Sequence, residues 1–272
     1  MWRLPWVKKG RWIIFFFYVI LYLVMDMKIV KYKKSTNGRY NVYLEDDSKL
    51  VLYEETILEF NLLLTKNIDD IEEISNFNMQ YEAYYTALRS INSRYKSVDE
   101  VRKMLTRKDF PHEMIDFAID KLLKQGYLND KIFAKLYINN QIVTTSRGPL
   151  RIKKDLLDKG VNNTIIDEEL EEFTEDIQLE KIDKIINKSI KSNHNRGGVI
   201  LKSKIFNDLK TLGYESSIIN RIINDYDYSV NKDLYKKEYD KLYKKLSRKY
   251  EGKELEYKIN ERLYKLGLYY EK

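Results

Sequence analysis

The residues able to do chemistry are few in kind. Cysteine is absent and His112 and His194 are the only histidines in 272 residues, which excludes disulfides, thiol nucleophiles and every cysteine-bearing zinc site. His112 follows Pro111 at an expected helix start and reads as an exposed first-turn residue, and His194 lies in the polar run Ser192 to Arg196 and reads as a solvated loop residue. Arg196-Gly197-Gly198 has a glycine pair but no lysine at the spacing of a phosphate-binding loop, so it is expected to be a loop preceding a helix. The acidic run Asp167, Glu168, Glu169, Glu171 and Glu172 offers oxygen ligands, yet at helical spacing it fits a solvated face better than a cation site. With no nucleophile, metal cluster or phosphate cradle in a supporting context, neither catalysis nor a cofactor is expected.

The cations are more suggestive. Arg102, Lys103, Arg107 and Lys108 form one group, Arg147, Arg151, Lys153 and Lys154 a second, and Lys202, Lys204 and Lys210 a third. If the three groups occupy corresponding places in a repeating structure, they make a stripe able to meet phosphate or an acidic protein groove. The competing reading is ordinary charge on exposed helix faces. A formal net charge of +7 suits a polyanionic partner; heavy use of Lys, Asn, Ile and Tyr also follows from an AT-rich genome.

Positioning these residues falls to helices. The chain is 43% hydrophobic and 33% charged, an ordinary balance for a folded protein, and three prolines and ten glycines leave long stretches rich in Lys, Glu, Leu and Ile. Short β-branched and aromatic runs at Lys28 to Lys34, Tyr40 to Leu44 and Lys49 to Tyr53, with Asn37-Gly38 as a hairpin turn, predict a three-stranded meander followed by a helix from Glu54 to Leu64. Beyond Tyr53 no alternation of period two persists, and the rest is expected to be helical.

Sliding the chain along itself exposes a repeat. Leu105, Leu156, Leu209 and Leu263, spaced by 51, 53 and 54 residues, are each followed five residues later by an apolar residue: Phe110, Val161, Tyr214 and Leu268. Asp109, Gly160, Gly213 and Gly267 stand immediately before these. Further apolar positions recur at Ile115 and Ile119, Ile166 and Leu170, and Ile219 and Ile223. Local signals set the boundaries: Ser97 and Glu100 have capping-box spacing, Pro111 suits a first turn, and Gly126, Gly160 and Gly213 suit helix C-termini. Helices this short must bury their apolar stripes on one another. The expected fold is therefore all-α in the main, with tandem three-helix repeats forming a curved elongated array behind a small N-terminal β-meander. The expected divisions are a leader at 1–26, meander plus helix at 27–78, repeats at 79–126, 127–173 and 174–228, and a partial fourth repeat at 229–272.

The leader stands apart. Trp12 to Met25 is uniformly apolar and follows Lys8, Lys9 and Arg11, as in a signal or anchor segment. It is short for a span that takes about 20 residues, and it lacks a small-x-small cleavage site. A third reading starts translation at Met25 or Met27, where the sequence turns soluble in character; this mistaken start is favoured, with a membrane anchor as its alternative.

At the repeat residues the chain resembles the RecX family of recombination regulators. The resemblance runs from about Glu54 to Lys272 and is densest between Ala83 and Gly160. It rests on Ala87-Leu88 with Ser93-Arg94-Tyr95-Lys96-Ser97 leading to Glu100, Val101 and Leu105; on Gly126-Tyr127-Leu128-Asn129-Asp130 with Phe133-Ala134; and on Arg147-Gly148-Pro149 through Ile152, Leu156 and Lys159-Gly160-Val161. No one of these motifs is specific; their order and spacing are. Asn129-Asp130 departs from the paired acids usual after the glycine turn, and Tyr95-Lys96 from the arginine-rich linker. The resemblance implies a monomeric, non-enzymatic, cytoplasmic protein that lies on the RecA recombinase filament on single-stranded DNA and restrains its growth, ATP turnover and strand exchange, with a weak direct DNA contact as an accessory. Two rivals stay open: a helical-repeat protein that binds DNA without the recombinase, and a membrane-anchored scaffold supported only by the leader.

Overall fold

The structure is a computed structural model that describes residues 27–36, 38–229 and 232–269. The apolar leader lies outside the described residues. The chain divides into two compact units, one ending at Asn129 and the other beginning at Asp130.

The first unit opens with strands β1 (Met27–Lys34), β2 (Arg39–Leu44), β3 (Lys49–Tyr53) and β4 (Asn67–Ile68), all antiparallel in the order β3-β2-β1-β4. Alternation puts Ile29, Val42, Leu44 and Leu52 on the buried face, where Ile57, Leu62, Ile68 and Ile74 cover them. The fourth strand departs from the expected meander. Helix α1 (Glu54–Glu59) stops where Asn61 takes a left-handed conformation, and α2 (Leu62–Thr65) stops at Lys66, also left-handed, so the single helix predicted over Glu54 to Leu64 is two. The chain then turns back so that Ile29 donates its N–H to the Lys66 carbonyl at 2.8 Å, beside the Met27–Ile68 pairing. A strand of two residues leaves no alternation to read.

Helix α3 (Ile71–Ser93) begins eight residues before residue 79, where the first repeat is expected to start, and is capped by Asp70, whose side chain accepts from the Glu73 N–H at 2.9 Å. Its first turns are mostly polar and anchor on the sheet through Ile74. Helix α4 (Val98–Thr106) carries the predicted capping box, Ser97 with Glu100. Pro111 sits at the N-cap of α5 (His112–Lys124) rather than inside its first turn. Tyr81, Tyr84, Ala87, Leu105, Ile115 and Leu122 close this core, and Tyr85 stacks on Tyr53 with ring centroids 4.8 Å apart. The tyrosines of α3 are packing residues, as their helical spacing indicates.

The second unit holds α6 (Asp130–Thr144), α7 (Pro149–Asp158), α8 (Asn163–Leu170), α9 (Glu175–Lys191), α10 (Gly198–Leu212), α11 (Ser216–Ile222, continued by a 3-10 turn at Ile223–Asp225), α12 (Lys232–Leu246) and α13 (Gly252–Lys265). Helices α6 to α11 share one core, and α12 and α13 build another around Leu242, Leu255, Ile259 and Leu263.

The five-residue spacing of the repeat has a geometric cause. Phe110, Val161, Tyr214 and Leu268 each donate a backbone N–H to the carbonyl of the leucine five residues back, at 3.3, 3.1, 3.2 and 2.9 Å. This is the closing bond of a Schellman turn, in which the residue before the donor is left-handed and the two apolar side chains meet. Asp109, Gly160, Gly213 and Gly267 all have positive φ, and all eight apolar partners are buried.

Candidate interaction surface

The basic residues singled out in the sequence lie on α4, α7 and α10 and the segments beside them. In α4, Arg102 bonds Asp116 of α5 at 2.5 Å and Lys103 bonds Asp99 at 2.6 Å, while Arg107 and Lys108 are exposed beyond the helix end. In α7, Asp155 receives both Arg147, in a short contact, and Arg151, at 3.6 Å. Lys153 bonds Asp167 of α8 at 2.5 Å, and Lys154 is exposed. In α10, Lys202 donates to the Asn224 side chain at 2.5 Å, Lys204 pairs with Asp208 at 3.1 Å, and the Lys210 amine lies 6.0 Å from the centre of the Phe206 ring.

Measured from the anchoring leucines, Arg102 corresponds to Lys153, Lys103 to Lys154, and Arg151 to Lys204. The first correspondence extends to the bonding, since Asp116 and Asp167 both lie fourteen residues after their cation. Arg107, Lys108 and Lys154 carry charge that no carboxylate of the described residues neutralises.

The other candidate groups are occupied structurally. Gly197 is the N-cap of α10 and its N–H donates to the Leu266 carbonyl at 3.0 Å, so the glycine pair serves a joint between helices. Of the acidic run, Glu168 and Glu172 pair with Lys131 and Lys135 of α6, at 3.0 and 3.3 Å. The Glu168 carboxylate raises the Lys131 amine above its ordinary value. Glu169 corrects the reading of a fully solvated face: it is buried, with Lys131 at 3.7 Å. His112 and His194 are exposed. Among the described residues no group of His, Asp or Glu could hold a metal ion.

Lys181, which no sequence motif marks, crosses from α9 to the C-terminus of α6. It donates to the Thr145 carbonyl at 2.8 Å and, in a short contact, to that of Ile142. A cation at the carbonyl end of a helix meets the negative pole of its dipole, and burial lowers the Lys181 amine below the usual lysine range.

Comparison with known proteins agrees with this architecture. A family model described as the RecX first three-helix domain matches residues 83–122, and one described as the second matches residues 129–170. The Regulatory protein RecX of Listeria innocua is 30% identical over 234 residues, covering 82% of this chain and 86% of its own length. That of Streptococcus gordonii is 30% identical over 251 residues, covering 90% and 96%. A crystal structure of a regulatory protein RecX superposes with a TM-score of 0.64 at 27% identity, covering 74% of this chain and all of that one.

Proposed function

The chain belongs to the RecX family of regulatory proteins, and from that premise we propose that it binds the RecA filament on single-stranded DNA and limits filament growth, ATP hydrolysis and strand exchange. The observation that carries the reading is the succession of the two family domains at 83–122 and 129–170. In this reading the protein is a monomer of the cytoplasm and performs no catalysis. Among the described residues no helix is long and apolar enough to cross a membrane.

Tandem helical units suit a long periodic partner, because several weak contacts on one chain add through effective concentration. The contact residues we assign are the basic groups of α4, α7 and α10, with Arg107, Lys108 and Lys154 foremost because their charge is unneutralised among the described residues.

The test adds the protein, below stoichiometry, to RecA, single-stranded DNA and ATP. Hydrolysis should slow and filaments should shorten; no change in either would overturn the proposal. Reversing charge at Arg107, Lys108 and Lys154 to Glu should weaken both effects while leaving the circular dichroism unchanged.

A further inference from the structure

Each of the first three repeats packs its third helix against its first: α5 on α3, α8 on α6 and α11 on α9. Buried Ala87, Ile138 and Ile182 mark one corresponding position on the first helices. On α12 that position falls to Leu242, because Leu242 and Leu246 are buried as Ile182 and Ile186 are. Counted from it, contacts with the third helix and the residues that end it recur at fixed places. Seven residues before, Lys131 pairs with Glu168 at 3.0 Å, and Glu175 pairs with Arg221 in a short contact. Three before, the Tyr84 hydroxyl donates to the Gln125 side chain at 2.7 Å, and Lys135 pairs with Glu172 at 3.3 Å. One after, Asp183 accepts from the Tyr226 hydroxyl in a short contact.

In the fourth repeat the same three places hold Tyr235, Tyr239 and Tyr243. Their rings stack along α12 with centroids 6.3 and 6.4 Å apart and planes tilted by 21° and 19°, and Tyr243 is 50% exposed. Among the described residues α12 packs on α13 and no third helix covers this face. At 100° per residue Lys232 and Lys236 lie on the same side of α12 as the rings, with Asp240 at its margin. Both lysines are exposed and have no carboxylate partner among the described residues.

We propose that the tyrosine ladder of α12 is a docking face for an acidic amphipathic helix of a partner protein, which takes the place that α5, α8 and α11 take in the other repeats. The repeat supplies the form of the occupant: helices of 13, 8 and 7 residues fill this place elsewhere, with apolar side chains four residues apart, as at Ile166 and Leu170. The charge supplies its sign. Helix α12 carries six lysines and three carboxylates, so a second copy would set like charge against like. Acids on the occupant would instead meet Lys232 and Lys236 as Glu168 and Glu172 meet Lys131 and Lys135. Tyrosine suits a face that is wet when free and covered when bound, because its ring is apolar, its hydroxyl is satisfied by water, and ordering its two torsions costs little entropy. The proposal goes beyond the RecA reading and does not depend on it.

The probe is a synthetic peptide with the sequence of residues 162–173, the acidic third helix of the second repeat, held helical by a hydrocarbon staple because so short a helix is marginal alone. Its labelled form is titrated with the full chain by fluorescence anisotropy, without RecA. The variant Tyr239→Ser, Tyr243→Ser should bind it on the order of tenfold more weakly than the parent does. So should the variant Lys232→Glu, Lys236→Glu, whose residues are exposed and which keeps the test decisive if loss of the tyrosines unfolds the repeat. A control peptide with Asp167→Lys, Glu168→Lys, Glu171→Lys and Glu172→Lys should bind the parent as poorly as the variants bind the acidic one. Unchanged thermal melting verifies that the variants fold. Equal affinity of the parent and the lysine variant, equal affinity for the two peptides, or no binding by the parent overturns the proposal. A dimer in sedimentation equilibrium that Tyr243→Ser dissolves assigns the face to a second copy and overturns it as well.

Discussion

Gly148 and Gly213 meet so closely that a Cβ on Gly148 would lie 2.5 Å from the Gly213 carbonyl oxygen. The Gly148 N–H donates to the Leu212 carbonyl at 2.8 Å and the Leu150 N–H to that of Gly213 at 3.0 Å, so the start of α7 is hydrogen-bonded to the turn that ends α10. A second joint of this kind sets Gly197 against Leu266 and Gly267, where a Cβ on Gly267 would overlap the Gly197 carbonyl. Gly148→Ala should therefore destabilise the protein by about 2 kcal/mol or more, since backbone must move to admit the methyl group. Gly252→Ala is the control: its left-handed φ of 52° costs about 1 kcal/mol, but nothing lies within 4 Å of the added Cβ. Urea denaturation of both variants decides the matter, and a Gly148→Ala protein as stable as its parent would show that the joint yields without cost.

Asp109 occupies the left-handed position that glycine holds at 160, 213 and 267. Asp tolerates this region better than most residues, yet its Cβ still carries a penalty. Asp109→Gly should stabilise the first unit by up to about 1 kcal/mol, less the entropy that glycine adds to the unfolded chain. The measurement is the denaturation midpoint, and a decrease would show that the Asp109 side chain contributes something its left-handed position does not require.

The Schellman turn is also why the repeat is readable without a structure. It demands a left-handed residue between two apolar ones at a fixed spacing, so the geometry is written in residue types at Leu156, Gly160 and Val161. The helix that contains Tyr81 starts earlier than its periodicity indicates because its first turns answer to the sheet through Ile74 rather than to an amphipathic stripe. Asn67–Ile68 carries no legible signal, since its strand character comes from pairing with β1. The basic groups are legible as composition; their neutralisation is not, because Asp116 and Asp167 lie fourteen residues from their partners on another helix.

The Arg102–Asp116 and Lys153–Asp167 pairs have identical sequence separation and N–O distances of 2.5 Å, yet their side chains are between 31% and 56% exposed. Solvent screening and side-chain entropy hold such pairs to about 1 kcal/mol or less. A double-mutant cycle on Arg102 and Asp116 should give a coupling in that range that shrinks as salt rises. A coupling of several kcal/mol that ignores salt would mean that the pair is a structural clamp and that Arg102 has no charge to offer a partner.

Alkaline pH should unfold the protein through its buried phenols. Burial pushes the Tyr214 hydroxyl up to about 12, while it donates to the Ser146 carbonyl at 3.3 Å. Tyr53 is raised first by burial, and Tyr85 and Tyr226 by burial and then by donation to Glu55 and Asp183. An unfolded tyrosine releases its proton near pH 10, so above that pH the native state holds more protons than the unfolded one. Stability is then level below about pH 10 and falls as pH rises through the folded values, by about 1.4 kcal/mol per pH unit for each fully protected phenol. Tyrosinate absorbance should rise in two steps, exposed rings near pH 10 and buried rings together with the loss of helical circular dichroism. Tyr214→Phe keeps the ring, gives up one hydrogen bond and should shift the second step to higher pH. A single absorbance step near pH 10 with the helices intact would show that the core admits hydroxide without unfolding.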